Sequence, residues 1–451
     1  MPFLSFIVIV AYVEPIGEIM YNTHCLQIGN STFDRKGDEN MDAIKVGLSK
    51  VMLTVVCVMP VLAHSFVGSW NGQLDFCVIK LRIVINVSDD GSCTLVSPDQ
   101  SSKEIPAKFK TPKADTMEVS ASSIGAKFVG RLKDGTIKGT FTQNGKKLPL
   151  ELKRGEAELN RPQTPCPPFP YSVVEVAFTN ASAKAVLAGT LSQPTDAKCI
   201  ALMVTGSGLQ DRDEQMFGHR PFAVIADHLA RNGIATLRYD DRGTAKSKGG
   251  LLKSATTRDF SKDAEAGIAY LRGLGKFSKV GIIGHSEGSS IAYMLGAQGK
   301  VDFIVSLAGP AMKGDALLLE QSRALLGKAA KNVTLEQIRK APTTKGNAWH
   351  RFFIDYDPQK DIRRVSCPVL ALNGEKDKQV VAGPNVSALR RVLPSNRLSE
   401  IKTYPDLNHL FQHCETGLAT EYGEIEETFS EEVLNDIVNW ITRITAQNSD
   451  K

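Results

Sequence analysis

The sequence predicts two folds in series. A small all-β domain occupies residues 66–153, and an α/β domain with a mainly parallel, doubly wound sheet occupies 171–446. Three observations predict this. Short alternating apolar runs separated by turn dipeptides fill the first region, and strands alternating with helical periodicity fill the second. Between them lies a Pro-rich linker, 154–170, whose stretch RPQTPCPPFP (Arg161 to Pro170) carries five prolines in ten positions, a density that neither a helix nor a central strand tolerates.

Composition narrows the classes of function. The chain has 451 residues, 42% apolar and 23% charged, the balance of a folded protein of two or three domains rather than of a disordered or fibrous one. Its 54 basic and 49 acidic residues leave a net charge of +5 spread along the length. No basic block or stripe favours a nucleic-acid partner.

Residues 1–65 read as a leader. In MDAIKVGLSKVMLTVVCVMPVLAHS, which begins at Met41, Lys45 and Lys50 precede an apolar run from Val51 to Ala63, and the small residues Ala63 and Ser65 close it. That order suits a secretory signal peptide over 41–63 or 41–65, and the run is short for a membrane span. The expectation is translation from Met41 and an exported product, periplasmic or extracellular, with no stable membrane span after cleavage. An uncleaved anchor is the alternative. Beyond the leader, Cys77, Cys93, Cys166, Cys199, Cys367 and Cys414 are scattered without CxxC pairs, so no zinc or thioredoxin-like spacing is present. Cys199 and Cys367 each head an apolar run and read as buried small hydrophobes. Cys77 and Cys93 are candidates for a disulfide in an oxidising compartment.

In the all-β region, LRIVINV, AKFVGRL, GTIKGTFTQ and KLPLELK are punctuated by Asp90-Gly91, Asp134-Gly135 and Asn144-Gly145. These are hairpin signals, and the region is expected to form a barrel or a sandwich with no catalytic constellation. From Tyr171, VVEVAF and VLAGTLS predict a leading hairpin. CIALMVTG, IATLRYD, VGIIG, VDFIVSLAG and PVLALNG predict buried strands, with helices at PFAVIADHLARNG and RDFSKDAEAGIAYLRGL. Such alternation implies a sheet covered on both faces, with its site at the carboxyl ends of the strands.

Those strand ends carry matched chemistry. Gly284-His285-Ser286-Glu287-Gly288 fits the G-x-S-x-G nucleophile elbow in strand-turn-helix context. A hydroxyl needs an oriented base, and in doubly wound hydrolases the chain order is serine, acid, histidine. His409 in YPDLNHLF follows a strand-like SEIKTY and is preferred as base over His413 and His350. Asp377 in GEKD, just beyond PVLALNG, is preferred as acid over Glu375. The glycine-rich turn VTGSGLQDRDE offers oxyanion donors: the N–H of Gly208, with Leu209 as a weaker alternative, and the N–H of Glu287 beside the nucleophile. GSGLQ lacks both the Walker lysine and the GxGxxG spacing of a phosphate cradle. In YDDRG, Asp240, Asp241 and Arg242 are expected to brace the turn as a buried Arg-carboxylate pair.

The stretches GSGLQDRDE, YDDRGTAKSKG, GHSEGSS, FFIDYDP, CPVLALNGEKDKQV and YPDLNHLFQ, from Gly206 to Gln412, resemble the α/β-hydrolase superfamily. Within it they are similar to exported bacterial esterase-like proteins labelled serine aminopeptidase S33 or dienelactone-hydrolase-like. In that family a β-rich domain opening on a GSWNG-like stretch, here Gly68 to Gly72, commonly precedes the hydrolase domain. Ala245 stands where the family usually has glycine, Leu209 where proline is usual, and Lys378 within the acid loop. The resemblance implies a helical cap at about 311–366. Its Trp349, Phe352, Phe353 and Tyr356 either line a substrate pocket or form the packed underside. It also implies a serine hydrolase acting on a small-molecule carboxylic ester through an acyl-enzyme on Ser286, with no metal or organic cofactor. The alternatives are an aminopeptidase-like enzyme, for which no acidic amine subsite is recognisable, and a non-catalytic envelope- or polysaccharide-binding protein. Oligomeric state is not legible in the sequence.

Overall fold

The computed structural model describes residues 66–446 apart from 76–79, 100, 144, 156–159, 251, 253 and 342–346. The leader expectations and Cys77 lie outside the described residues, whereas Cys93 is buried. No helix among the described residues is long and apolar enough to cross a membrane.

The first region is a closed antiparallel barrel of β1 (Gly68–Asp75), β2 (Lys80–Val87), β3 (Cys93–Ser97), β4 (Ser101–Lys113), β5 (Thr116–Ala121), β6 (Ala126–Lys133), β7 (Thr136–Gln143) and β8 (Lys146–Arg154). Alternation drives it: Leu81, Ile83, Ile85 and Val87 of β2 point inward, and the core gathers Phe66, Trp70, Met117, Phe128 and Leu152. Asp134 and Gly135 form a two-residue hairpin with φ of 50° and 76°, matching the strand twist. The seam closes where Trp70, Asn71 and Gly72 face Arg154, Lys153 and Leu152. A Cβ on Gly72 would stand 2.1 Å from the Glu151 carbonyl oxygen, so closure there requires glycine.

The second region is a mixed nine-stranded sheet. Its strands are β9 (Ser172–Asn180), β10 (Ala185–Gln193), β11 (Cys199–Val204), β12 (Ala235–Tyr239), β13 (Lys248–Gly249), β14 (Lys279–His285), β15 (Ile304–Leu307), β16 (Val369–Gly374) and β17 (Glu400–Tyr404). The order is β13-β10-β12-β11-β14-β15-β16-β17, with β9 antiparallel on β10. Every neighbouring pair from β12 across to β17 is parallel. Helices α2 (Thr257–Gly273), α3 (Glu287–Gly296) and α8 (Ala382–Val392) cover one face. Helices α1 (Pro221–Arg231) and α9 (Glu431–Ala446) cover the other. Strands buried on both faces favour apolar residues on both, which is why β11 and the Val369–Leu372 part of β16 read as unbroken apolar runs. Between β15 and β16 the chain inserts a cap of α4 (Gly314–Leu326), α5 (Leu335–Lys340), α6 (Ala348–Asp355) and α7 (Gln359–Ile362). The cap has its own core of Leu317, Leu318, Ile338, Phe353 and Ile354.

The Pro-rich stretch does more than connect. The Arg161 guanidinium donates to the carbonyls of Phe217 (2.7 Å), Gly423 (2.8 Å) and Ile425 (3.0 Å). The Gln163 amide oxygen accepts the N–H groups of Thr428 (2.6 Å) and Phe429 (3.0 Å). Alongside, Leu81 of the barrel packs with Met216, Phe217, Leu410 and Tyr422 of the sheet domain.

Candidate active site

The carboxyl end of β14 turns sharply into α3 at Ser286, whose φ of 52° and ψ of −118° are costly for a residue with a Cβ. The flanking glycines permit the turn. A Cβ on Gly284 would lie 2.3 Å from the Gly288 backbone, and one on Gly288 would lie 2.2 Å from the Val204 carbonyl oxygen. Gly288→Ala is therefore expected to force β11 and α3 apart and destabilise the domain by about 3 kcal/mol. In calorimetry this would read as a Tm lowered by ~10 °C. Ser286 itself is tied to the end of β15 by its N–H, 2.8 Å from the Leu307 carbonyl.

Asp377 and His409 meet on the loops after β16 and β17. Asp377 Oδ2 lies 2.7 Å from His409 Nδ1, and Asp377 Oδ1 accepts the N–H groups of Gln379 (2.7 Å) and Val380 (2.9 Å). Both residues are buried. A carboxylate at Nδ1 holds the proton on that nitrogen and leaves Nε2 as the proton acceptor, the tautomer a general base needs. The rejected candidates sit elsewhere. His413 is exposed, paired with Glu427, Glu375 accepts from Thr403 at the surface, and His350 is buried in the cap, where burial lowers its pKa to about 4.

The donor loop after β11 packs against the elbow, since a Cβ on Gly206 would be only 3.3 Å from Ser286 Cβ. The Gly206 N–H donates to Glu214 Oε1 (2.6 Å) and the Gln210 N–H to Asp241 Oδ2 (2.8 Å). Between those engaged groups stand Ser207, Gly208 and Leu209, half-buried, with Gly208 at a φ of 100°. Glu287 opens α3, and the first amides of a helix have no intrahelical acceptor.

The Glu287 side chain turns away from solvent and accepts from Thr257 Oγ1 (2.6 Å) and Trp349 Nε1 (2.7 Å). Burial raises its pKa, outweighing these bonds. Trp349 is thereby fixed to the residue after Ser286, while Phe353, stacked on it at 5.4 Å, faces the cap core. Phe352 and Tyr356 stack on each other at 5.5 Å, and the Tyr356 hydroxyl donates to Asp361. The expected aromatic group thus divides between a contact with the elbow and the packing of the cap.

The YDDRG turn is braced by Arg-carboxylate pairs, but not among its own members. Arg242 pairs with Asp263 of α2 (2.6 Å) and Asp240 with Arg212 (2.8 Å). Asp241 is buried and pairs with no cation among the described residues, and burial, reinforced by Asp263 and Glu287, pushes its pKa up to about 8 against the Gln210 and Thr205 hydrogen bonds. A raised carboxyl keeps a proton in the folded chain that the unfolded chain has released above its ordinary value of 3.8. Stability should therefore fall as pH rises from that value through about 8. Asp241→Asn is expected to flatten the decline of Tm across this window, which thermal melts over a pH series would measure.

Residues 219–359 match the model of the family described as serine aminopeptidase, S33. The match spans the helix before β12, the elbow and most of the cap of a sheet with the strand order above. The chain has an α/β-hydrolase fold. It is 28% identical over 261 residues to esterase EstD of Thermotoga maritima, a match that covers 54% of the chain and 61% of that relative. It is similar to the solved structure of the Pyrococcus furiosus esterase Pf2001 (TM-score 0.44, 17% identity, 64% of this chain and 99% of that one). It is also similar to Est1E from Butyrivibrio proteoclasticus with ferulic acid bound (TM-score 0.43, 18% identity, 61% of this chain and 100% of that one).

The chain also holds a second buried histidine-carboxylate contact, which sequence reasoning did not single out: His285 Nδ1 lies 2.9 Å from Glu214 Oε1. The available signal was an ionisable residue on the strand side of Ser286, together with the acidic end of QDRDE.

Proposed function

We propose that this α/β hydrolase cleaves carboxylic esters by two-step acyl transfer. Ser286 Oγ forms a bond to the ester carbonyl carbon as its proton passes to His409 Nε2, and the carbonyl oxygen becomes an oxyanion held by the N–H groups of Gly208 and Glu287. Collapse breaks the bond to the alcohol oxygen, which leaves with the proton from His409. Water then attacks the acyl-enzyme, giving its proton to His409, and the carboxylic acid departs as that proton returns to Ser286. Each oxyanion donor contributes about 3 kcal/mol to the transition state.

The observation that carries this reading is the 2.7 Å contact between His409 and Asp377 at the same sheet edge as a serine held at positive φ. Esterase EstD supports the ester class by its name. Glu287, whose carboxyl is already engaged by Thr257 and Trp349, offers no amine subsite of the kind an aminopeptidase needs.

The test combines a fluorophosphonate probe with p-nitrophenyl esters of short and long acyl chains, feruloyl esters and aminoacyl anilides. Labelling at Ser286 with esters turned over faster than anilides is expected. A folded protein that is not labelled would instead favour the non-catalytic binder. Export follows from the basic, apolar and small-residue order of Met41 to Ser65, and N-terminal sequencing of product secreted after expression from Met41 would test it.

A further inference from the structure

Three loops must hold register for acyl transfer: the donor loop after β11, the elbow after β14 and the base loop after β17. They converge on one buried side chain. His285 lies 5% exposed at the end of β14, and its Nε2 is 3.0 Å from the backbone carbonyl oxygen of His409. A carbonyl oxygen only accepts, so Nε2 carries a proton. On its other side Nδ1 meets Glu214 Oε1 at 2.9 Å, and the same oxygen accepts the Gly206 N–H at 2.6 Å. Glu214 is 1% exposed, and the His285 and His409 rings lie 4.8 Å apart. Gly206 in turn abuts Ser286 Cβ.

We propose that Glu214 and His285 are positioning residues for the acyl transfer described above, an inference that rests on that reading. Through one hydrogen bond His285 fixes the backbone that presents His409. Through Glu214 it fixes the backbone that leads into Gly208. Distance between base and oxyanion donors is therefore set by this pair rather than by the Asp377 contact, which orients only the imidazole ring. Burial works against a charged imidazole, but the Glu214 carboxylate and the bonds at both nitrogens outweigh it and raise the His285 pKa. A buried histidine-carboxylate contact is geometrically exacting, because removing either partner leaves the other's polar atoms unpaired.

The test is a steady-state comparison of His285→Ala, His285→Gln and Glu214→Gln with the unaltered full chain, with Tm and the rate of fluorophosphonate labelling recorded for each. His285→Ala removes both bonds and is expected to lower kcat by about 100-fold, the effect of an ångström-scale misplacement, with KM changed less than about twofold. His285→Gln restores a donor at the Nε2 position and is expected to recover most of that loss. Glu214→Gln keeps an acceptor for the Gly206 N–H but loses the charge, and is expected to lower kcat by about tenfold. Labelling rates should fall in step with kcat. If the unaltered chain is not labelled, the esterase reading itself fails. If it is labelled and turns over esters, the positioning role is overturned by a folded His285→Ala with kcat within twofold, by a loss confined to KM, or by a glutamine variant no better than alanine. Should His285→Ala not fold, Glu214→Gln at full activity overturns it.

Discussion

Ser286→Ala is expected to lower ester turnover by about a million-fold and to abolish fluorophosphonate labelling, with Tm little changed. In the proposed acyl transfer the hydroxyl is the atom that bonds to the acyl carbon, so its removal leaves nothing for His409 to activate. Alanine keeps the Cβ that already tolerates a φ of 52°, and the N–H bond to Leu307 belongs to the backbone. The fold should therefore survive the loss of the chemistry. Residual activity comes from water attack within a site that still binds and polarises the ester, on the order of a thousandfold over solution. Hydrolysis by the folded variant at a rate comparable to the parent would overturn the assignment of the nucleophile.

Asp377→Asn is expected to lower kcat by about ten thousand-fold with KM nearly unchanged. The asparagine oxygen can still accept from the N–H groups of Gln379 and Val380, as Asp377 Oδ1 does, which turns the amide nitrogen towards His409 Nδ1. Two donors cannot share that contact, so the imidazole moves its proton to Nε2. The nitrogen that should accept the serine proton then carries one of its own. Steady-state kinetics, with thermal melts to verify folding, measure this directly. A loss of less than about tenfold would mean that His409 is oriented by something other than Asp377.

How much of this was legible in the sequence depends on the range of the interactions. Strand β11 and the Val369–Leu372 part of β16 were visible because burial on both faces leaves an unbroken apolar run. The elbow was visible because backbone crowding at Gly284 and Gly288 excludes side chains and so leaves a fixed spacing around Ser286. The choice of barrel over sandwich was not visible, since it rests on Trp70 to Gly72 finding Leu152 to Arg154, a pairing of residues far apart in the chain. Strand β4 was obscured by Pro106 and Pro112, which argue against a strand unless its neighbours impose one. Helix α9 is legible in principle, since Val433, Leu434, Ile437, Trp440, Ile441 and Ile444 recur at helical spacing and pack on the sheet. The partners of Arg242 and the contacts of His285 were out of reach for another reason. Any nearby carboxylate satisfies an arginine on paper, and only the fold selects Asp263 over Asp240.

The linker contacts tie the melting of one domain to that of the other. Arg161 and Gln163 hold the segment that runs from Gly423 to Phe429, and Leu81 covers Leu410, the residue after His409. Undocking the barrel would strip apolar cover from the base loop and leave the carbonyls of Phe217, Gly423 and Ile425 without their guanidinium. Barrel and sheet domain should consequently unfold in one cooperative step, and a chain trimmed to start at Tyr171 would lose rigidity first at the loop that carries His409.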